Sequence, residues 1–177
     1  MAELISAEQF PAAAEGDFAG IVRRYQAMVY SIALHFLADP SASEEVAQDV
    51  FLQLHANLSR LKSEEHVKFW LRKVTSHRCI DWQRRRRPQA VSLEDAPDPP
   101  ALNRAEDPWL SRRLRQLVAS LPEKPRLIVI LRYQEDMDAE DIAEVLAMPI
   151  ATVKSHLQRS LAMLREKAAR AIGEVTI

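Results

Sequence analysis

The chain has 177 residues with 24 Lys+Arg against 25 Asp+Glu, a formal net charge of −1, and that length suits one ordinary domain or two small ones. Its three glycines, Gly16, Gly20 and Gly173, are too few and too dispersed for a phosphate-cradling loop or a hairpin-rich β fold. One cysteine, Cys79, excludes an intramolecular disulfide framework; with no apolar run of ~18 residues and no basic-then-apolar leader, a soluble cytoplasmic helical protein without membrane insertion is expected.

Phe18, Ile21, Val22, Tyr25, Val29, Ile32, Ala33 and Phe36 recur at three-four spacing and predict a first helix. Asp17 is placed to cap it and Asp39-Pro40 to end it. A second helix is predicted from about Ser43, with Glu44 and Glu45 in a first turn that favours negative charge. Its stripe is Val46, Val50, Phe51, Leu54, Leu58 and Leu61. A third helix is predicted from about Val67 to Arg85, with Trp70, Leu71, Val74 and Ile80 as its core face. Pro88, Pro97, Pro99, Pro100 and Pro108 then place half of the 10 prolines in 21 residues. Proline removes a backbone donor and drives its predecessor out of the helical region, so residues 88–108 are expected to be an extended linker.

Beyond it, Leu110, Leu114, Leu117 and Leu121 mark a short amphipathic helix, and Ser120-Leu-Pro122-Glu123 has the pattern of a cap with proline in the first turn. That opens a helix through Leu127, Ile130 and Leu131. Asp138 is placed to cap a helix carrying Ile142, Ala143, Val145 and Leu146, and after Met148-Pro149 a longer helix carries Val153, Leu157, Leu161, Leu164 and Ala168. The fold class expected is therefore all-α, two small helical domains joined by a Pro-rich acidic linker.

The near-zero net charge conceals segregation. Residues 1–50 sum to −6, 51–88 to +7, 89–108 to −4 and 109–177 to +2. The positive block is concentrated in the third helix, where Arg72, Lys73, Arg78 and Arg84 to Arg87 place seven permanent cations in sixteen residues, with His77 and Trp82 among them and Trp70 just before. Cations neutralise phosphates and release counterions, and aromatic rings can stack on unpaired bases. The last two helices form a short-turn-long pattern suited to a helix-turn-helix, whose second helix enters the DNA major groove. On a helical wheel, Val153, Leu157, Leu161 and Leu164 share one face, while Thr152, Ser155 and Arg159 lie roughly opposite, flanked by Lys154 and His156. Arg can contact guanine bidentately, and Thr, Ser and Lys suit phosphates or base edges. The residues alone admit a homodimeric helix-turn-helix repressor or activator, or an interaction protein that reads no DNA. Catalysis is not expected: the histidines (35, 55, 66, 77 and 156) are scattered, and Cys79 with His77 supplies two metal donors at most, at an unpromising i, i+2 spacing. Neither a metal nor a cofactor is expected.

Taken together, these segments resemble a bacterial extracytoplasmic-function (ECF) sigma factor, the minimal two-domain specificity subunit of RNA polymerase. Ala47-Gln-Asp-Val-Phe-Leu52 is similar to that family's polymerase-binding stretch in region 2. Phe69-Trp-Leu71, Ile80-Asp81 and Arg84 to Arg87 resemble its promoter-melting and −10-reading helix. Leu121-Pro-Glu-Lys-Pro-Arg126 with Leu131-Arg-Tyr133 resembles the opening of region 4, and Asp141-Ile-Ala-Glu-Val-Leu146 with Thr152-Val-Lys-Ser155 and Arg159 its helix-turn-helix.

The resemblance implies region 2 over residues 10–87, a flexible linker over 88–108 and region 4 over 109–172. It implies that Gln48, Asp49, Phe51 and Leu52 dock on the polymerase core. Lys73, His77, Arg78, Arg84, Arg85, Arg86 and Arg87 would engage the −10 element, with the loop Lys62 to His66 beside them, and Thr152, Lys154, Ser155, His156 and Arg159 would read the −35 element. The implied partners are RNA polymerase core, promoter DNA and an anti-sigma factor. Where the family often carries glycine in the turn and before the recognition helix, this chain has Ala147 and Ala151. A turn position with positive φ would then be strained.

Overall fold

The structure is a computed structural model and describes residues 17–86 and 108–173. Arg87 and positions 88–107 of the expected linker lie outside the described residues. The chain divides into two compact units, Met1–Val91 and Ser92–Ile177, and all regular structure among the described residues is helical.

In the first unit α1 (Phe18–Leu37) packs on α2 (Pro40–Asn57) and on α3 (Glu64–Arg86), and α2 packs on α3. A single 3₁₀ turn, Leu58–Arg60, bridges α2 and α3. The Asp17 carboxylate caps α1 by accepting from the Gly20 N–H at 3.2 Å. At the other end Ala38 takes a left-handed conformation, φ 55°, and its N–H donates to the Leu34 carbonyl at 2.9 Å. That single bond closes a left-handed C-terminal cap. Two residues therefore reverse the chain, and α2 begins at Pro40 rather than near Ser43. Proline at the first helical position loses a donor that would be unpaired anyway. Asp39 accepts from the Ala42 N–H at 3.0 Å, and the buried Ser43 hydroxyl donates to the Asp39 carbonyl at 2.7 Å.

Tyr25, Val29, Ile32, Ala33 and Phe36 of α1 meet Val46, Val50 and Leu54 of α2 in the core, joined by Leu58, Leu61, Val67, Leu71 and Cys79. The buried stripe of α3 differs from the expected one: Val67, Leu71, Thr75, Ser76 and Cys79 are buried, whereas Trp70, Val74 and Ile80 are half-exposed. Small side chains let the helix approach its neighbours closely, and the Thr75 hydroxyl meets its own need by donating to the Leu71 carbonyl at 2.6 Å.

In the second unit α5 (Glu123–Tyr133) and α6 (Ala139–Leu146) pack on α7 (Ile150–Gly173), and α4 (Pro108–Ala119) packs on α5 and α7. Five consecutive residues of α5, Leu127 to Leu131, are buried, so the middle of this helix is enclosed all round. Ser120 does not cap α5, whose N-cap is Pro122 without a side-chain bond. Its hydroxyl instead donates back to the Leu117 carbonyl at 2.6 Å and closes α4. The reversal is gripped by Arg126, which donates to the Leu121 carbonyl at 3.0 Å, and by Lys167, which reaches the Ser120 hydroxyl at 2.6 Å. Cations suit this place because the last carbonyls of a helix are unpaired and negative. Of the apolar stripe expected on α7, Val153 is fully buried, but Leu157, Leu161 and Leu164 are half-covered, and Ser160 is fully buried instead.

Candidate nucleic-acid and polymerase interfaces

Three surfaces carry the candidate residues. The first is the outward stripe of α2. Gln48 and Leu52 are exposed, Asp49 and Phe51 half-exposed, and Leu52 at 70% exposure is one of the few large apolar side chains left in water. A lone exposed leucine is ordinary, but next to the half-exposed Phe51 it offers an apolar contact with a polar rim.

The second is α3. Its N-terminus is fixed by Glu64, which accepts from the Tyr25 hydroxyl at 2.9 Å and pairs with Arg24. These bonds hold the Glu64 carboxyl below its ordinary range. Burial, with the Glu64 carboxylate beside it, pushes the Tyr25 phenol up to about 12. Ser63 caps the helix, its hydroxyl accepting from the His66 N–H at 3.1 Å, and the Lys62 N–H donates to His66 Nδ1 at 3.3 Å. The turn 62–66 is thus ordered by its own polar groups. Further along, His77, Arg84 and Arg85 are exposed and Lys73 and Arg78 half-exposed. Arg78 faces α2, where its guanidinium lies against the Gln53 carboxamide, which can accept from it once its oxygen takes the inner position. Arg86 also turns to α2: it pairs with Asp39 at 3.1 Å and lies 4.6 Å over the Trp82 ring, whose indole N–H donates to Glu45 at 3.4 Å.

The third surface is the helix-turn-helix of α6 and α7. Asp138 caps α6, accepting from the Asp141 N–H at 2.8 Å. At its end Ala147 is left-handed, φ 50°, with Ala147 N–H donating to Glu144 at 3.3 Å and Met148 N–H to Ala143 at 3.0 Å. This paired pattern is a Schellman motif, which stops a helix sharply and redirects the chain. Pro149 then accepts from the Thr152 N–H at 2.9 Å and opens α7. Lys154, Ser155 and Arg159 are exposed, and Thr152 and His156 half-exposed, around a first turn anchored by buried Val153. Lys154 pairs with Glu140 of α6 at 3.5 Å, with both side chains at least 60% exposed. An ion pair so wet contributes at most about 1 kcal/mol and yields readily to a phosphate.

Sequence reading placed Asp39 only at the end of the first helix and Glu45 only in the first turn of the second, and did not single out Glu140. Asp39 could be recognised as a cap from the proline after it, but its pairing with Arg86, 47 residues away, leaves no local trace. Among the described residues no group of three or more His, Cys, Asp or Glu could hold a metal ion, and no helix is long and apolar enough to cross a membrane. The Cys79 thiol is pushed far up by burial, which suits an inert packing group.

A helix-turn-helix in one unit and a cationic helix in the other define a DNA-binding protein of transcription. The family model for Sigma-70 region 2 matches residues 21–89, and that for Sigma-70, region 4 matches residues 111–164. The ECF RNA polymerase sigma factor SigK of Mycolicibacterium vanbaalenii is 31% identical over 84% of this chain and 80% of its own length. The protein described as probable RNA polymerase sigma factor RfaY of Xanthomonas campestris is 30% identical over 90% of this chain, which spans 43% of that relative's length. The sigma factor RpoE of Bartonella quintana, solved in complex with the anti-sigma factor NepR, has the same fold, with a TM-score of 0.72 at 20% identity over 85% of this chain and 95% of its own. The chain belongs to the ECF sigma factors of the sigma-70 family. As such it directs RNA polymerase core to promoters, region 2 acting at the −10 element and region 4 at the −35 element. The homodimeric repressor alternative finds no support.

Proposed function

We propose that residues 10–87 act as region 2, 88–108 as linker and 109–172 as region 4, and that this chain performs no chemistry and uses no cofactor or metal. In region 2, Gln48, Asp49, Phe51 and Leu52 dock on the polymerase core. Lys73, His77, Arg78 and the arginines 84 to 87 serve the engagement of the melted −10 element. In region 4, Thr152, Lys154, Ser155, His156 and Arg159 meet the −35 element in the major groove. The protein works in the cytoplasm. It is held inactive by an anti-sigma factor, as the Bartonella RpoE is found bound to NepR.

The observation that carries this reading is the geometry of α7. Its exposed Lys154, Ser155 and Arg159 form an outer face to which α7 itself contributes no carboxylate, directly after a sharp turn, with Val153 anchoring the opposite side. Such a face can enter a groove lined with phosphates, and the tethered second unit makes spacing between two DNA elements part of the specificity. The test is transcription by sigma-free core polymerase mixed with the purified chain on a genomic fragment library. Specific initiation from a subset of fragments is expected, and Arg159→Ala should change which fragments are used. Initiation unaltered in pattern by Arg159→Ala would remove α7 from promoter choice.

A further inference from the structure

The successive arginines that end α3 do not share one role. Consecutive residues advance about 100° around a helix, so Arg84 and Arg86 point roughly 160° apart. The buried stripe of α3 runs Val67, Leu71, Thr75, Cys79, and the next positions at the same three-four spacing are Trp82 and Arg86. Arg86, although itself exposed, therefore lies on the side that continues the packing stripe, while Arg84 shares the opposite, outward side with Lys73 and His77.

The side-chain bonds agree with this placement. Arg86 pairs with Asp39 at 3.1 Å and covers the Trp82 ring at 4.6 Å, and the Trp82 N–H reaches Glu45 at 3.4 Å. Asp39 uses both carboxylate oxygens, one capping α2 through Ala42 and the other holding Arg86. The exposed Arg84 and Arg85 have no ion pair among the described residues. Glu45 lies three, four and seven positions before Gln48, Asp49 and Leu52, at the head of the α2 stripe assigned to polymerase docking. The same joint thus connects the start of that stripe to the end of the cationic helix.

We propose that Arg86 is a positioning residue rather than a phosphate ligand: with Trp82 it latches the last turn of α3 to Asp39 and Glu45 of α2, and so aims Arg84 and its neighbours at DNA. This rests on the reading of α3 as DNA-facing.

The test uses holoenzyme assembled with the full chain, binding a promoter fragment across 50–200 mM salt. Each phosphate that a variant no longer neutralises lowers the slope of log affinity against log salt by about 0.7–0.9. Arg84→Gln should show that reduction. Arg86→Gln should keep the wild-type slope while affinity falls about fivefold at every salt concentration, with Arg86→Lys recovering most of it. Asp39→Asn, which keeps a good cap but removes the ion pair, should match Arg86→Gln, and the double variant should be no worse than either. A slope reduced by Arg86→Gln as much as by Arg84→Gln would overturn the proposal, as would multiplied losses in the double variant. An unchanged slope in Arg84→Gln would remove the DNA-facing reading of α3 instead. The coupling of Asp39→Asn with Arg86→Gln in thermal unfolding would then still decide the latch: non-additive shifts support it, additive shifts refute it.

Discussion

The two units hold their candidate DNA helices by different means. In the first, α3 is long and its buried stripe is poor in large apolar residues, and acids fix both its ends: Arg24 and Tyr25 of α1 meet Glu64 at the start, and Asp39 and Glu45 hold Arg86 and Trp82 at the finish. In the second, α7 is fixed by backbone geometry, a Schellman turn at Ala147 and Val153 just beyond it. The first arrangement depends on charge and protonation, the second on conformation. Substitutions and pH should therefore separate them.

The largest expected effect concerns the cores. Phe36 is wholly buried among α1, α2 and α3. Phe36→Ala should cost about 3–5 kcal/mol through lost burial and a residual cavity. Hydrogen exchange should show the loss of protection confined to amides of residues 18–86. Equal loss over residues 123–170 would break the comparison, by showing that the units stand or fall together.

Next in size is an alkaline effect on the first unit. Tyr25 is raised to about 12, mainly by burial and then by its hydrogen bond to Glu64 and that carboxylate's charge. The folded form binds the phenolic proton more tightly than the unfolded chain does. Its contribution is complete below pH ~10 and is lost as pH rises through about 12, on the order of 1–2 kcal/mol. Glu64 runs the other way: lowered by Arg24 and Tyr25, it contributes above the ordinary carboxylate range and loses that contribution as pH falls through its folded value. Urea midpoints followed by tryptophan fluorescence from pH 9 to 12 should fall in the wild type. Tyr25→Phe should be markedly flatter.

How far this architecture was legible from sequence follows from which physics is local. The α1 stripe and the caps at Asp17 and Asp138 are local patterns, and the structure places them where three-four spacing and capping chemistry put them. The face of α3 was legible only at Leu71, because counting large apolar residues also selects Trp70, Val74 and Ile80, whereas close helix packing favours Thr75, Ser76 and Cys79. The leucines of α7 look like core by period, yet burial depends on how far neighbouring helices extend beside them, which no single helix encodes. At the candidate sites, outward exposure of Lys154, Ser155 and Arg159 followed from the wheel. The partners of Arg86 and Lys154 did not, since Asp39 and Glu140 lie outside the helices that carry them.

The smallest effect tests the conformational side of the comparison. Ala147 holds φ 50° with its Cβ against the following carbonyl, a conformation that costs an L-residue about 1 kcal/mol and glycine almost nothing. Glycine also loses more freedom on folding, so Ala147→Gly should stabilise the second unit by a net of about 0.5 kcal/mol. Ala38 occupies the matching position at the end of α1, φ 55°, but its cap is made by a single bond to Leu34 instead of the paired Schellman bonds. The gain from Ala38→Gly should therefore be similar in size and confined to the first unit, read as separate shifts in the two unfolding transitions. If Ala147→Gly destabilised the second unit, its turn would be held by side-chain packing around Met148 and Pro149, and backbone geometry would no longer distinguish the two units.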